Sequence, residues 1–174
     1  NLKENSNDEE FAGGIVAILE TATIENSKNT GNVIGSTNIG GIAGESKGII
    51  TQCRNDGQVS KVVGVICKTV NLGGLVGKNG EAARLSNSKN YGNVNSETDT
   101  LVNLGGICGI LYNNSIVELC ENNGAISGSG KEIIPNEDTN TNCASCTSNN
   151  GGSASTDDFG QLNIGIIYGK YQEI

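Results

Sequence analysis

The chain reads as an all-β protein, a right-handed parallel β-helix of about five coils with roughly 30 residues in each. Three observations predict this fold. Two short signatures alternate along the chain at near-constant spacing. The side chains aligned by those signatures are of one kind, column by column. The composition is rich in residues that turn a chain and poor in those that build long helices or an aromatic core.

Composition comes first. The chain has 174 residues, of which 26 are Gly, 25 are Asn and one is Pro (Pro135). Gly and Asn are poor helix formers, so long helices are disfavoured. Plentiful, regularly placed Ile and Val argue against simple disorder. Aromatic residues make up only 3% against 35% hydrophobic, with no Trp, no Met and two Phe. The expected core is therefore aliphatic and small rather than aromatic.

The first signature is a Gly pair followed by an aliphatic residue: Gly13-Gly14-Ile15, Gly40-Gly41-Ile42, Gly73-Gly74-Leu75 and Gly105-Gly106-Ile107. The second is Asn-x-Gly with an aliphatic two residues on. It reads Asn29, Gly31, Val33; Asn55, Gly57, Val59; Asn90, Gly92, Val94; and Asn122, Gly124, Ile126. The first signature precedes the second by 16, 15, 17 and 17 residues, while successive Gly pairs lie 27, 33 and 32 apart. A fixed first half and a variable second half predict a scaffold with insertions at one place per coil. The expected variable loops are 60–71, 95–103 and 129–158.

Aligned on the second signature, the columns are uniform. Five residues before the Asn stand Ile24, Ile50, Leu85 and Val117; two before it stand Ser27, Cys53, Ser88 and Cys120. Three after the first Gly stand Val16, Ala43, Val76 and Cys108. Stacked strands place like on like at about 4.8 Å, and one repeat alone could not bury its apolar side. The Asn column is expected both to supply a left-handed turn conformation and to hydrogen-bond from coil to coil. The Gly two residues later is expected where a Cβ would clash or where φ is positive. An antiparallel sandwich with hairpins at each Asn-Gly signal is the competing fold, but it gives no reason for the columns.

The chain divides into an acidic cap at 1–11, four regular coils at 12–128, and a degenerate region at 129–174. The last region is expected to hold a fifth coil opening at Ile133-Ile134, with Asn149-Asn150-Gly151 as its second signature. A partial sixth coil then begins near Ile164-Gly165.

Gly-Gly-Leu-Val-Gly at 73–77 and Asn-Ser-Lys-Asn-Tyr-Gly-Asn-Val at 87–94 resemble the GLUG-type repeat. The resemblance covers residues 12–128 well and 129–174 poorly. Ala17 stands where the motif has its third Gly, and Ile166 where the terminal coil should have its second. Such repeats occur in bacterial surface proteins, including adhesin-like chains and regions flanking IgA-specific metallopeptidases. The resemblance implies an extracellular or cell-surface location and a role as a stalk or a binding surface. The first residue is Asn1 rather than Met, as expected of a chain whose native start is missing.

Little in the sequence carries catalytic chemistry. His is absent, which removes the commonest general base and zinc ligand. The net charge of −8 opposes a nucleic-acid partner. No stretch approaches the roughly 20 apolar residues that span a bilayer. The Gly pairs precede no Lys-Ser or Lys-Thr helix start, so they are not phosphate loops. Acidic runs at Asp8-Glu9-Glu10, Glu137-Asp138 and Asp157-Asp158 read as solvated, since none matches a calcium-loop pattern; Asp157 and Asp158, beside the loop 147–156, are the best remaining calcium candidate. No metal or cofactor is expected.

Among the cysteines, Cys53 and Cys120 share a column but lie two coils apart. That is about 9.6 Å, too far for a disulfide, so both read as buried thiols, as does Cys108. Cys143-Ala144-Ser145-Cys146 leaves three possibilities: incidental thiols, a structural disulfide (with each other or with Cys67), or metal or redox chemistry. Lys28, Arg54, Lys89 and Glu121 form a column that reads as an exposed charge stripe.

The expected function is a non-enzymatic module that binds host or matrix glycan or protein. Tyr91 and Tyr112 are its candidate sugar-stacking residues, although Tyr112 could equally cap the core. A spacer without a ligand is the alternative, and a carbohydrate-active β-helix the minor one.

Overall fold

A computed structural model describes residues 9–63, 65, 67, 69–96, 101–112, 114–129, 132–135, 143–144, 146–149, 152–155, 161–165 and 168–172. The described residues contain strands and turns and no helix. Coil one holds Phe11–Gly13 (β1), Val16–Leu19 (β2), Thr23–Glu25 (β3), Lys28–Asn29 (β4) and Val33–Gly35 (β5). Coil two holds Asn38–Gly40 (β6), Ala43–Ser46 (β7), Ile49–Thr51 (β8), Arg54–Asn55 (β9) and Val59–Lys61 (β10). Coil three holds Thr69–Gly73 (β11), Val76–Asn79 (β12), Arg84–Ser86 (β13), Lys89–Asn90 (β14) and Val94–Ser96 (β15). Coil four holds Leu101–Gly105 (β16), Cys108–Tyr112 (β17), Ile116–Glu118 (β18), Glu121–Asn122 (β19) and Ile126–Ser129 (β20). Beyond it lie Glu132–Pro135 (β21), Cys143–Ala144 (β22), Thr147–Ser148 (β23), Gly152–Ser155 (β24), Gln161–Gly165 (β25) and Tyr168–Gln172 (β26).

Equivalent strands stack into five parallel sheets, named A to E in the order each coil visits them. The chain is thus a parallel β-solenoid of about five coils. Val33, Val59, Val94 and Ile126 are successive partners in sheet E. Ile24, Ile50, Leu85 and Val117 are partners in sheet C, and Val16, Ala43, Val76 and Cys108 in sheet B.

The core has two lobes. One lies beneath sheets B and C and contains Ile42, Ile50, Leu75, Leu85, Ile107 and Leu111. The other lies beneath sheets A and E and contains Ile39, Leu72, Leu104, Val59, Val94 and Ile126. Sheets A and B themselves meet through glycine. A Cβ on Gly109 would stand 2.6 Å from Leu72 N and 2.7 Å from Asn71 C, so backbone packs on backbone there. Aliphatic side chains fill the lobes and aromatic ones are not needed, as the composition predicts.

The connections β5 to β6, β10 to β11, β15 to β16 and β20 to β21 all run from sheet E to sheet A. The variable insertions therefore fall at one corner of the cross-section. The first of them is narrower than 60–71, because Ser60 and Lys61 lie in β10 and 69–71 in β11. Residues 97–100 of the second, and much of the third, lie outside the described residues.

The degenerate region departs from the sequence expectation. Sheet A runs β1-β6-β11-β16-β25-β21. The strand on coil four is therefore 161–165, with Leu104 opposite Ile164 and Gly105 opposite Gly165. Glu132–Pro135 pairs with the outer side of that strand. Ile133-Ile134 thus does not open the fifth coil on top of coil four, and Ile164 belongs to the fifth layer rather than a sixth. The residue pattern agrees with this pairing. Asn163-Ile164-Gly165 repeats the Asn-aliphatic-Gly of Asn38–Gly40, 71–73 and 103–105, whereas Glu132–Pro135 offers neither the amide nor the glycine. Pro135 also lacks an N–H to donate, which suits an edge strand. Ile166 lies outside the described residues.

Candidate functional site

The Asn-x-Gly signature builds a continuous ladder of side-chain amides. Asn29, Asn55, Asn90 and Asn122 are successive partners in sheet D. Each of the first three donates Nδ2–H to the next Oδ1, at 2.9, 2.9 and 2.8 Å. Each Oδ1 also accepts from the N–H of the Gly two residues on, and each Nδ2 donates to that Gly's carbonyl. A buried amide is thus saturated on both ends, which makes its burial tolerable.

The ladder asparagines lie in strands and do not adopt the left-handed conformation expected of them. That conformation falls three residues earlier, at Asn26 (φ 50°), Gln52 (φ 53°), Asn87 (φ 49°) and Leu119 (φ 52°). The turn between sheets C and D needs it, and the sharper signature hid it. Gly57, Gly92 and Gly124 are required by clash, since a Cβ on each would overlap the carbonyl of the Gly one coil below. Gly31 belongs to the first coil of the described residues, and a Cβ there would lie 3.7 Å from Asn29 Oδ1.

At the far end Ser148, not Asn149, takes the ladder position. It pairs with Asn122, whose Nδ2 donates to Ser148 Oγ at 3.2 Å. A second amide ladder went unread in the sequence. Asn71 donates to Asn38 Oδ1 at 2.7 Å and Asn103 to Asn71 Oδ1 at 2.6 Å, in sheet A. Its signal was the Asn two residues before three of the Gly pairs.

Outside the Asn ladder, sheet D carries the charged column. Lys28, Arg54, Lys89 and Glu121 are register partners, continued by Thr147. Asp56 joins Lys28 (2.8 Å) and Arg54 (2.5 Å), and Lys89 joins Glu121 (2.8 Å). The Arg54 hydrogen bond, then that of Lys28, holds the Asp56 carboxyl below its usual range. Lys89, then Asn123, does the same for Glu121. Asn149 donates to Asn123 Oδ1 and Glu121 Oε1, extending the network by one layer.

Tyr91 sits in this surface, 39% exposed, with the Arg54 guanidinium carbon 4.1 Å from its ring centroid. Such a cation–π contact fixes the ring in place and contributes about 0.5–1 kcal/mol at exposed sites. Tyr112 is not part of it. It ends β17 in sheet B, is half-buried, and lies outside both core lobes. The structure therefore does not bring the two candidate tyrosines into one site.

Glu9 and Glu10 are exposed but not merely solvated. Glu9 joins Lys78 at 3.2 Å, and the Glu10 carboxylate accepts from the Ser36 hydroxyl. Asp8, Glu137, Asp138, Asp157 and Asp158 lie outside the described residues. Among the described residues, no group of three or more His, Cys, Asp or Glu is placed to hold a metal ion, and no helix is long and apolar enough to cross a membrane.

Cys53, Cys67, Cys108 and Cys120 are buried thiols. Burial raises the thiol pKa of Cys53 and of Cys108, and pushes that of Cys120 up to about 12. Cys146 is disulfide-bonded, and not to Cys67, which is a thiol. Cys146 packs against the B–C lobe. Compared with family models, curated proteins and solved structures, the chain matches none.

Proposed function

We propose that the chain is a non-enzymatic, extracellular bacterial surface module that binds host or matrix glycan or protein on the outer side of sheet D. The observation that carries this reading is the Arg54–Tyr91 pair: an exposed ring held by a guanidinium within a rigid, laddered sheet. A pre-ordered aromatic surface loses little entropy when a sugar ring stacks on it. Around it Lys28, Asp56, Lys89 and Glu121 offer fixed donors and acceptors for hydroxyl groups. The resemblance of residues 12–128 to GLUG-type repeats supports the location. The net charge of −8 opposes nucleic acid.

One observation favours a spacer instead. Lys28, Arg54 and Lys89 already have carboxylate partners within the chain, so the stripe is internally satisfied. A glycan array probed with the protein and with Tyr91→Ala separates the two readings. Binding to defined glycans that is lost in Tyr91→Ala is the expected result. No reproducible glycan binding, or binding indifferent to Tyr91, would overturn the glycan-binding reading of this surface and favour the spacer.

A further inference from the structure

Cys146 continues a column whose earlier members are Ser27, Cys53, Ser88 and Cys120. The backbone shows it: Arg54 N–H donates to Ser27 O (2.9 Å), Lys89 to Cys53 O (2.9 Å), Glu121 to Ser88 O (3.0 Å) and Thr147 to Cys120 O (2.9 Å). Thr147 and Glu121 are register partners, so the residues before them, Cys146 and Cys120, stand one layer apart. One layer is about 4.8 Å, inside the roughly 4.4–6.8 Å Cα separation that a disulfide accepts. Cys53 is two layers from Cys120, with Ser88 between them. Cys120 and Cys146 also share the B–C lobe of the core.

We propose that Cys120 and Cys146 form a thiol–disulfide exchange site, through which the disulfide of Cys146 is passed to Cys120 and joins the fourth coil covalently to the fifth layer. The Cys120 thiol loses its proton, and the thiolate attacks Cys146 Sγ. A Cys120–Cys146 bond forms as the bond between Cys146 and its present partner breaks. The electron pair leaves on the departing sulfur, which takes up a proton. One disulfide and one thiol are present before and after, so no oxidant or reductant is consumed. Burial of the Cys120 thiol disfavours its thiolate, which keeps the reaction slow at neutral pH. Its rate rises about tenfold per pH unit, with the thiolate fraction.

The test uses the native oxidised chain, incubated without denaturant for days at about pH 8 and about pH 9, both below the raised pKa of the Cys120 thiol, so that its small thiolate fraction grows about tenfold from one to the other. Samples are quenched in acid, digested without reduction and mapped by mass spectrometry. The expected result is a linked Cys120–Cys146 peptide pair that accumulates about tenfold faster at the higher pH. It should be absent from Cys120→Ser, which keeps the fold because Ser already occupies this column at Ser27 and Ser88. Failure of the pair to form while Cys146 keeps its original partner would overturn the proposal. So would a pair formed only after denaturant is added, or equal linkage of Cys146 to Cys53.

Discussion

Gly41 presses against the side-chain amide of Asn55: a Cβ built on the glycine would overlap Asn55 Cγ. Gly14 meets Asn29 and Gly74 meets Asn90 in the same way. The two sequence signatures are therefore the two sides of one contact, in which the A–B turn rests on the sheet D ladder. Their spacing of 15–17 residues is the length of chain needed to pass through sheets B and C and return. This contact also divides the core into its two lobes.

Gly41→Ala should accordingly cost about 3 kcal/mol, the upper range for overpacking a filled interior. Gly31→Ala, with only the 3.7 Å neighbour, should change stability by no more than about 1 kcal/mol. Urea-unfolding midpoints of the two variants check this contrast. Equal effects would mean that the signatures do not touch.

Asn90→Asp tests the ladder itself. The carboxylate keeps the bond from Asn55 Nδ2 but loses both donations, to Gly92 O and Asn122 Oδ1. It then faces two carbonyl oxygens as a buried anion, a change worth roughly 3–5 kcal/mol. The fold favours the neutral acid, so the folded-state pKa of the new carboxyl is raised. Its stability is present at low pH and lost as pH rises through that value. Thermal melts from about pH 7 down to about pH 4 should therefore show the variant gaining on the parent.

Two positions sit below their local optimum. Leu119 holds φ 52° with an exposed side chain, where Asn26 and Asn87 occupy the same column. Leu119→Asn should stabilise by about 1 kcal/mol, and Asn87→Leu should destabilise by a similar amount. Asn79 is fully buried with neither amide atom hydrogen-bonded among the described residues, and its column neighbours are Leu111 and Ser46, whose hydroxyl is likewise without a partner there. Asn79→Leu should gain about 1–3 kcal/mol. Denaturant titrations of the three variants measure these shifts.

The thiols set an alkaline limit. Cys120 has its pKa raised from 9.0 to about 12, and burial raises that of Cys108 well above the ordinary thiol range. The folded chain thus keeps protons that the unfolded chain releases above about pH 9. Stability is full below that pH and falls by about 1.4 kcal/mol per unit for Cys120 as pH rises toward 12, with Cys108 acting in the same direction. Cys120→Ser and Cys108→Ala should each flatten the decline in alkaline melts, and a slope unchanged by either would refute this assignment.

The regular coils were legible because the same contact is made in each, so the same residues recur. The Asn ladder and its glycines could be read without coordinates, and so could the burial of Cys53, Cys108 and Cys120. The amide ladder of Asn38, Asn71 and Asn103 was visible as a column but was overshadowed by the Gly pairs beside it. The swap of 132–135 with 161–165 was not legible. Ile133-Ile134 has the hydrophobicity of a coil start, and the strand that pairs with coil four, 161–165, comes some 30 residues later. The left-handed turn position was hidden because Gln52 and Leu119 carry no turn signal. Tyr91 was legible as an aromatic, but its Arg54 partner depends on a neighbouring coil 37 residues away.

The central claim is that consecutive coils pair in parallel, in register. Scalar couplings across hydrogen bonds, measured by NMR on labelled protein, test it most directly. The account predicts couplings from the N–H of Val33 to the carbonyl of Gln58, from Val59 to Asn93, and from Val94 to Ala125. Couplings that instead link these valines to antiparallel partners within their own repeat would contradict it.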